Sequence, residues 1–406
     1  MQRRKLVALP VLLLLAVPAL RAQIIDPLGS EVGKKLGNTP NAISTAVPFL
    51  SLAPDARSGG MGDIGVATTP DLNSQHYNAA KYVFMERDYG ASLTYSPWLL
   101  NLVPDMSLVY LSGMYKFDDR NALAASLLYF SMGDVTFTDE QGGSAQTFRP
   151  NEFAIDVSYS RKIIDVLSIA VTGRFIYSNL TLGQYVQGQD TKAGLAGAAD
   201  IGLYYKQDFE VKNFKGGTLM AGLSITNIGN KVSYSYGSED LDRNFLPAAL
   251  RLGVGFDWHI NDYNSVGFYG EAYKLLVPTP PIVGGTSGDS IIAGRTNRVN
   301  VMQGIFQSFG DAPGGFKEEM QEIMWSLGAE YWWRDIVAVR MGYFHESKYK
   351  GDRQYLSLGV GLQYKMVGLD FAYLIPTSQT AGSNPLKNTL RVGVKFSFDK
   401  KKKSGE

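Results

Sequence analysis

From Asp88 onward, apolar or aromatic residues alternate with small, polar or charged ones. The alternating segments run about 9 to 12 residues, a length and a period of two that predict strands with one oily face. In FAIDVSYS, Phe153, Ile155, Val157 and Tyr159 share one face, and Asp156, Ser158 and Ser160 the other. ALRLGVGFDWH sets Leu250, Leu252, Val254, Phe256 and Trp258 against Arg251, Gly253, Gly255, Asp257 and His259. YLSLGVGLQY and LRVGVKFSF repeat the pattern. About fourteen such segments can be marked. They begin near Tyr89, Met106, Ala122, Glu152, Leu167, Ala198, Leu219, Ala249, Ser265, Met324, Val337, Tyr355, Gly368 and Leu390.

The connections sharpen this picture. Those after the second, fourth, eighth, tenth and twelfth segments are tight (DDRN, the turn at Ile164 and Asp165, INDYN, RD and Met366). Those after the third, fifth, seventh and ninth are long, and QDFEVKNFKGG after the sixth is intermediate. Short periplasmic turns alternating with long extracellular loops mark an outer-membrane barrel, and an even strand count leaves both termini in the periplasm. A secreted β-sandwich shares the alternation but does not account for strand ends rich in Tyr and Trp. Tyr95 to Trp98, Trp325, Tyr331, Trp332, Trp333 and Tyr373 suit aromatic girdles. The predicted fold is all-β, a transmembrane antiparallel β-barrel of about 14 strands that ends on the aromatic Phe398.

Ahead of the barrel, MQRRKLVALPVLLLLAVPALRAQ has basic residues, an apolar run and a small residue, Ala22, at a cleavage point. Residues 1–22 therefore read as a secretory signal peptide. Residues 23–87 read as an N-terminal periplasmic segment and lumen plug, 88–398 as the barrel with its largest loop over 275–323, and 399–406 as a periplasmic tail. The expected location is the outer membrane of a Gram-negative bacterium.

Composition removes several chemistries. The 406 residues carry a formal net charge of +1 and no cysteine, so disulfides, thiolate metal sites and a Cys nucleophile are excluded, and nothing suggests nucleic acid. His76, His259 and His345 stand far apart, and no metal or cofactor is expected. His345 with Glu346 and Ser347 is the one local grouping of catalytic types, but adjacent strand residues face opposite ways. No enzyme is expected.

The polar face carries Asp156, Arg174, Asp200, Arg251, Asp257, Glu330, Arg340, Asp370 and Arg391, which would line the lumen and need partners. The glycine-rich run SLAPDARSGGMGDIGVATTPDLNSQHYNAAKY, from Ser51 to Tyr82, is a natural filling. Gly59, Gly60, Met61 and Gly62 allow close backbone approach. Asp55, Arg57, Asp63 and Asp71 can meet the wall charges.

The string APDAR-x-GGMGD followed by GVAT resembles the N-terminal signature of the PorV family of outer-membrane proteins, within the wider FadL-like β-barrels. The resemblance runs from about Ile43 to Phe398. The Asn78-Ala79-Ala80 step departs from the Asn-Pro-Ala of many FadL-like proteins. The resemblance implies a part in the type IX secretion system of the Bacteroidetes group. Its partners would be the SprA/Sov-like translocon barrel, cargo bearing a C-terminal signal domain, the sortase PorU with its attachment complex, and outer-membrane lipid and lipopolysaccharide. A FadL-like transporter of hydrophobic small molecules is the alternative.

The loop after the ninth strand is far longer than closure needs. Val299–Phe309 predicts a helix with Val301, Met302, Ile305, Phe306 and Phe309 on one side, and Phe316–Ile323 another with Phe316, Met320 and Ile323 aligned. Such faces would bind a partner or fold over the barrel mouth.

Overall fold

The computed structural model describes residues 39–98, 105–138, 144–183, 185–186, 189–210, 214–236, 243–284, 290–377 and 389–400. The expected signal peptide over 1–22 and the tail beyond residue 400 lie outside these.

Fourteen strands close into one barrel. They are β1 (Tyr89–Pro97), β2 (Ser107–Lys116), β3 (Asn121–Ser131), β4 (Asn151–Ile164), β5 (Leu167–Asn179), β6 (Gly194–Phe209) and β7 (Gly216–Gly229). The second half comprises β8 (Ala249–His259), β9 (Asn264–Leu275), β10 (Ile323–Trp333), β11 (Val337–His345), β12 (Gln354–Tyr364), β13 (Val367–Pro376) and β14 (Leu390–Phe398). Each pairs antiparallel with the next, and β14 pairs back on β1, Tyr89 opposite Phe398 with their rings stacked at 5.3 Å. Closure leaves no free sheet edge, which a hydrocarbon environment requires.

Twelve strand starts fall within one residue of where the alternation put them, while β6 opens earlier, at Gly194 instead of Ala198, and β7 at Gly216 instead of Leu219. β6 continues to Phe209, so its connection to β7 is short and the apparent exception to loop parity disappears. Along each strand the outward side chains, such as Leu93, Val157, Val254, Leu327 and Met341, are exposed apolar residues, and the inward ones are buried. Two expected girdle residues point elsewhere. Trp98 packs in a buried cluster with Phe49, Tyr110 and Phe130. Trp332 shares the inward parity of Glu330 and lies against the Arg340 guanidinium, 5.5 Å from its ring centre.

The segment before β1 fills the lumen with short pieces. These are a 3-10 turn at Pro48–Ser51, helices α1 (Ala56–Gly59) and α2 (Ser74–Tyr77), and a 3-10 stretch at Ala79–Phe84. Its first described residues lie at the long-loop end. The Asn41 N–H donates to the Tyr349 carbonyl, and the Ala46 N–H to the Phe245 carbonyl. From residues 39–52 at that end the chain descends through the lumen to β1. Among the described residues no helix is long and apolar enough to cross a membrane.

Candidate functional site

The plug is pressed backbone to backbone against the wall. A Cβ on Gly342 would stand 2.0 Å from the Met61 carbonyl carbon, and one on Gly60 would stand 2.9 Å from the Gly359 Cα. Gly62 adopts a positive φ of 75°, which an L side chain resists, and its N–H donates to the Ser357 hydroxyl at 2.8 Å. The wall is thus as glycine-dependent as the plug, and strand glycines mark such close approaches.

Charge seals the contact. Arg57 of α1 donates to both oxygens of Glu330, at 3.0 and 2.8 Å, and reaches Asp71 at 3.2 Å. Glu330 also takes Arg340 at 2.6 Å, Arg340 takes Asp370 at 2.7 Å, and Lys395 meets Asp370 at 2.5 Å. The result is an alternating row of three cations and three carboxylates, almost fully buried, in which every charge has an opposite neighbour. A second group joins Arg174 to Asp156 at 2.7 Å and to Asp200 at 3.0 Å. Arg251 pairs with Glu271 at 2.8 Å, whose other oxygen accepts the Gly65 and Val66 N–H groups at 2.9 Å. Arg391 pairs with Asp63 at 2.7 Å, and Asp63 also accepts the Tyr355 hydroxyl.

All nine expected lumen charges are therefore buried and inward. Asp257 differs in its partner, accepting the Tyr269 hydroxyl at 2.6 Å. Of the four plug charges, Arg57 and Asp63 reach the wall. Asp71 instead pairs with Arg57 inside the plug, and Asp55 caps α1 by accepting the Ser58 N–H at 2.9 Å.

The long loop forms a second feature at the end opposite the start of β1 and the end of β14. It contains α3 (Val301–Gln307) and α4 (Phe316–Gln321), both shorter than expected, and Ile323 opens β10 instead of closing a helix. The predicted apolar side of α3 divides. Ile305 packs with Ala248 and Leu276, and Val301, Ile225 and Leu250 pack alongside. Leu250 and Ile225 stand at outward positions of β8 and β7, so this part of the loop saddles the outer rim. Met302, Phe306, Phe309, Phe316 and Met320 remain exposed, Phe306 by 72% and Phe316 by 80%.

A buried polar lock holds the saddle. Lys350 meets Glu318 at 2.6 Å and Glu322 at 3.0 Å, and Lys274 meets Glu322 at 2.6 Å and Glu319 at 3.2 Å. Asn41 donates to Glu318 at 3.0 Å, tying the start of the plug to the same carboxylates. Asp311 accepts the Thr279 N–H and the Gln307 amide, each at 3.2 Å, and burial raises its carboxyl to about 7. None of these partnerships was foreseen, because they depend on how the loop docks.

The histidines are dispersed. His345 stacks on Trp325 at 5.0 Å, while Glu346 is held by Arg353 at 2.8 and 3.0 Å. His76 lies buried in the plug, edge-on to Tyr77. Among the described residues no group of metal-type ligands converges.

Comparison with known proteins follows this geometry. No curated protein matches the sequence. The chain is similar in structure to the toluene transporter TodX of Pseudomonas putida, at 11% identity over 89% of this chain and 100% of that one, TM-score 0.48. It is also similar to the toluene transporter TbuX of Ralstonia pickettii, at 14% identity over 85% and 98%, TM-score 0.44. A FadL homologue of Pseudomonas aeruginosa gives 12% identity over 89% and 100%, TM-score 0.42. The family described as "Type IX secretion system protein PorV" matches residues 35–282, which hold the plug signature and strands β1 to β9. With that match over more than half its length, this plugged fourteen-stranded outer-membrane barrel belongs to the PorV family of type IX secretion.

Proposed function

We propose that the protein binds the translocon barrel of type IX secretion and receives cargo carrying a C-terminal signal domain on its long-loop face. It then passes that cargo to the sortase-containing attachment complex. Residues 1–22 serve as the export signal in this reading, and the loop face lies outside the cell.

The observation that carries the proposal is the division of the long loop. Its inner residues fix it to the rim, while five large apolar side chains on the two helices and the turn between them stay exposed. Such an exposed apolar patch fits a protein partner. The rival, a transporter of hydrophobic molecules, needs an apolar path through the lumen, and the charged row around Arg57 and Glu330 runs across it.

The test is affinity capture from mild-detergent outer membranes with tagged wild type and a Phe306→Ser, Phe316→Ser variant. Wild type should bring down a very large barrel or secreted proteins sharing a C-terminal domain, and the variant should lose them at equal abundance. Capture of the same partners by the variant, or copurifying apolar ligands with no protein partner, would overturn the proposal.

A further inference from the structure

Between the plug and the barrel wall, toward the long-loop side, lies a cavity of about 60 Å³ whose lining includes Arg251, Arg353 and Arg391. Three guanidiniums around so small a space need explaining. Each is aimed by one carboxylate that is itself already occupied. Glu271 also accepts two backbone N–H groups, Asp63 also accepts the Tyr355 hydroxyl, and Glu346 holds Arg353 through both oxygens. Only Asp63 among these carboxylates lines the cavity itself.

Arg391 is 1% exposed, and its Nε–H meets no acceptor among the described residues. A buried charged donor without an acceptor is costly, which leaves the Arg391 guanidinium short of one partner. Apart from Ser51, the remaining wall is apolar and aromatic, with Leu52, Phe344 and Leu374 contributing to it. The Arg353 side chain is 35% exposed, so the cavity opens toward the long-loop end. The space holds a carboxylate with a short apolar stem or a few waters, and nothing larger.

We infer that this cavity is a binding site for a carboxylate group entering from the long-loop end, its oxygens meeting the three guanidiniums that line the space and its stem lying on Phe344 and Leu374. Two sources share this chemistry: a free short-chain carboxylate and the C-terminal carboxylate of a polypeptide. The site is independent of the exposed helix faces, so it stands or falls apart from the capture experiment.

Calorimetric titration of the purified full-length protein in detergent, at constant ionic strength, tests it. The probes are propionate, its neutral analogue propionamide, and a short apolar peptide with either a free or an amidated C-terminus. Binding of propionate or of the free-acid peptide, with at least tenfold weaker binding of the neutral partner, supports the site, and the tighter probe identifies the source. Arg353→Gln, which alters only a half-open side chain, should weaken binding about tenfold, as loss of one charge-assisted hydrogen bond does. Arg391→Gln should weaken it further where that variant folds. Equal affinity for charged and neutral probes, no binding of any probe, or unchanged affinity in Arg353→Gln would overturn the inference.

Discussion

Replacing Lys350 with Met tests whether the long loop is held by charge. Lys350 is the common partner of Glu318 and Glu322, and all three side chains are at most 5% exposed. Removing one partner of a buried pair costs roughly 3–5 kcal/mol, because the charge left behind is unpaired. Here the lower end applies. Glu318 keeps donors from Asn41 and the Gly314 N–H, and Glu322 keeps Lys274 and the Thr279 hydroxyl. A loss of about 3 kcal/mol raises the open fraction of the loop about a hundredfold. Hydrogen exchange over residues 301–322 of the intact protein reads this directly, with the barrel strands as internal reference. Adding Glu318→Gln should return part of the protection, since it removes one stranded carboxylate. Unchanged exchange in α3 and α4, or a rise spread evenly over the barrel, would refute the reasoning.

Two further predictions concern the plug and the loop. Gly342→Ala drives a methyl into the Met61 carbonyl and should unseat the plug by roughly 1–3 kcal/mol, the usual scale of overpacking. Single-channel recording in planar bilayers should then show conductance absent from wild type, and a silent variant would contradict the close contact. Asp311 is the pH-sensitive element of the loop. Burial raises its carboxyl to about 7 in the docked state, so docking favours the protonated form and the loop is held more tightly as pH falls from 8 to 6. Glu319, also raised by burial, acts in the same direction. Exchange of α3 and α4, corrected for intrinsic rates, should slow over that interval, and Asp311→Asn should remove most of the change.

Much of the fold was legible because a strand between lipid and lumen repeats every two residues, and a charge facing lipid is costly. That rule alone placed Asp156, Arg174, Glu330 and Arg391 inward. Parity would also have placed Trp332 inward with Glu330, had the aromatic count at the strand end not been preferred. The pairings were less legible. Glu330 and Arg340 stand directly opposite on β10 and β11, so register reveals that pair. Arg340 reaches Asp370 two strands away, however, across Gly361, where a Cβ would stand 2.7 Å from the guanidinium. Strand glycines signal close approach, but not what approaches. The loop lock left no trace at all, since Lys274 occupies an outward position and is buried only because the loop folds back over it.

The plug precedes every barrel strand in the chain, yet Arg57 and Asp63 engage residues on β10 and β14. Barrel closure at the β14–β1 seam brings Arg391 to Asp63, and a seated plug offers Asp63 to the incoming strand. Each therefore stabilises the other by the same free energy, as linkage requires. The plug acts as a mandrel on which the last strands are gauged. A barrel that closes in the wrong register would leave Arg391 and Glu330 facing each other's absent partners. In this fold the stopper also checks the assembly of its own vessel.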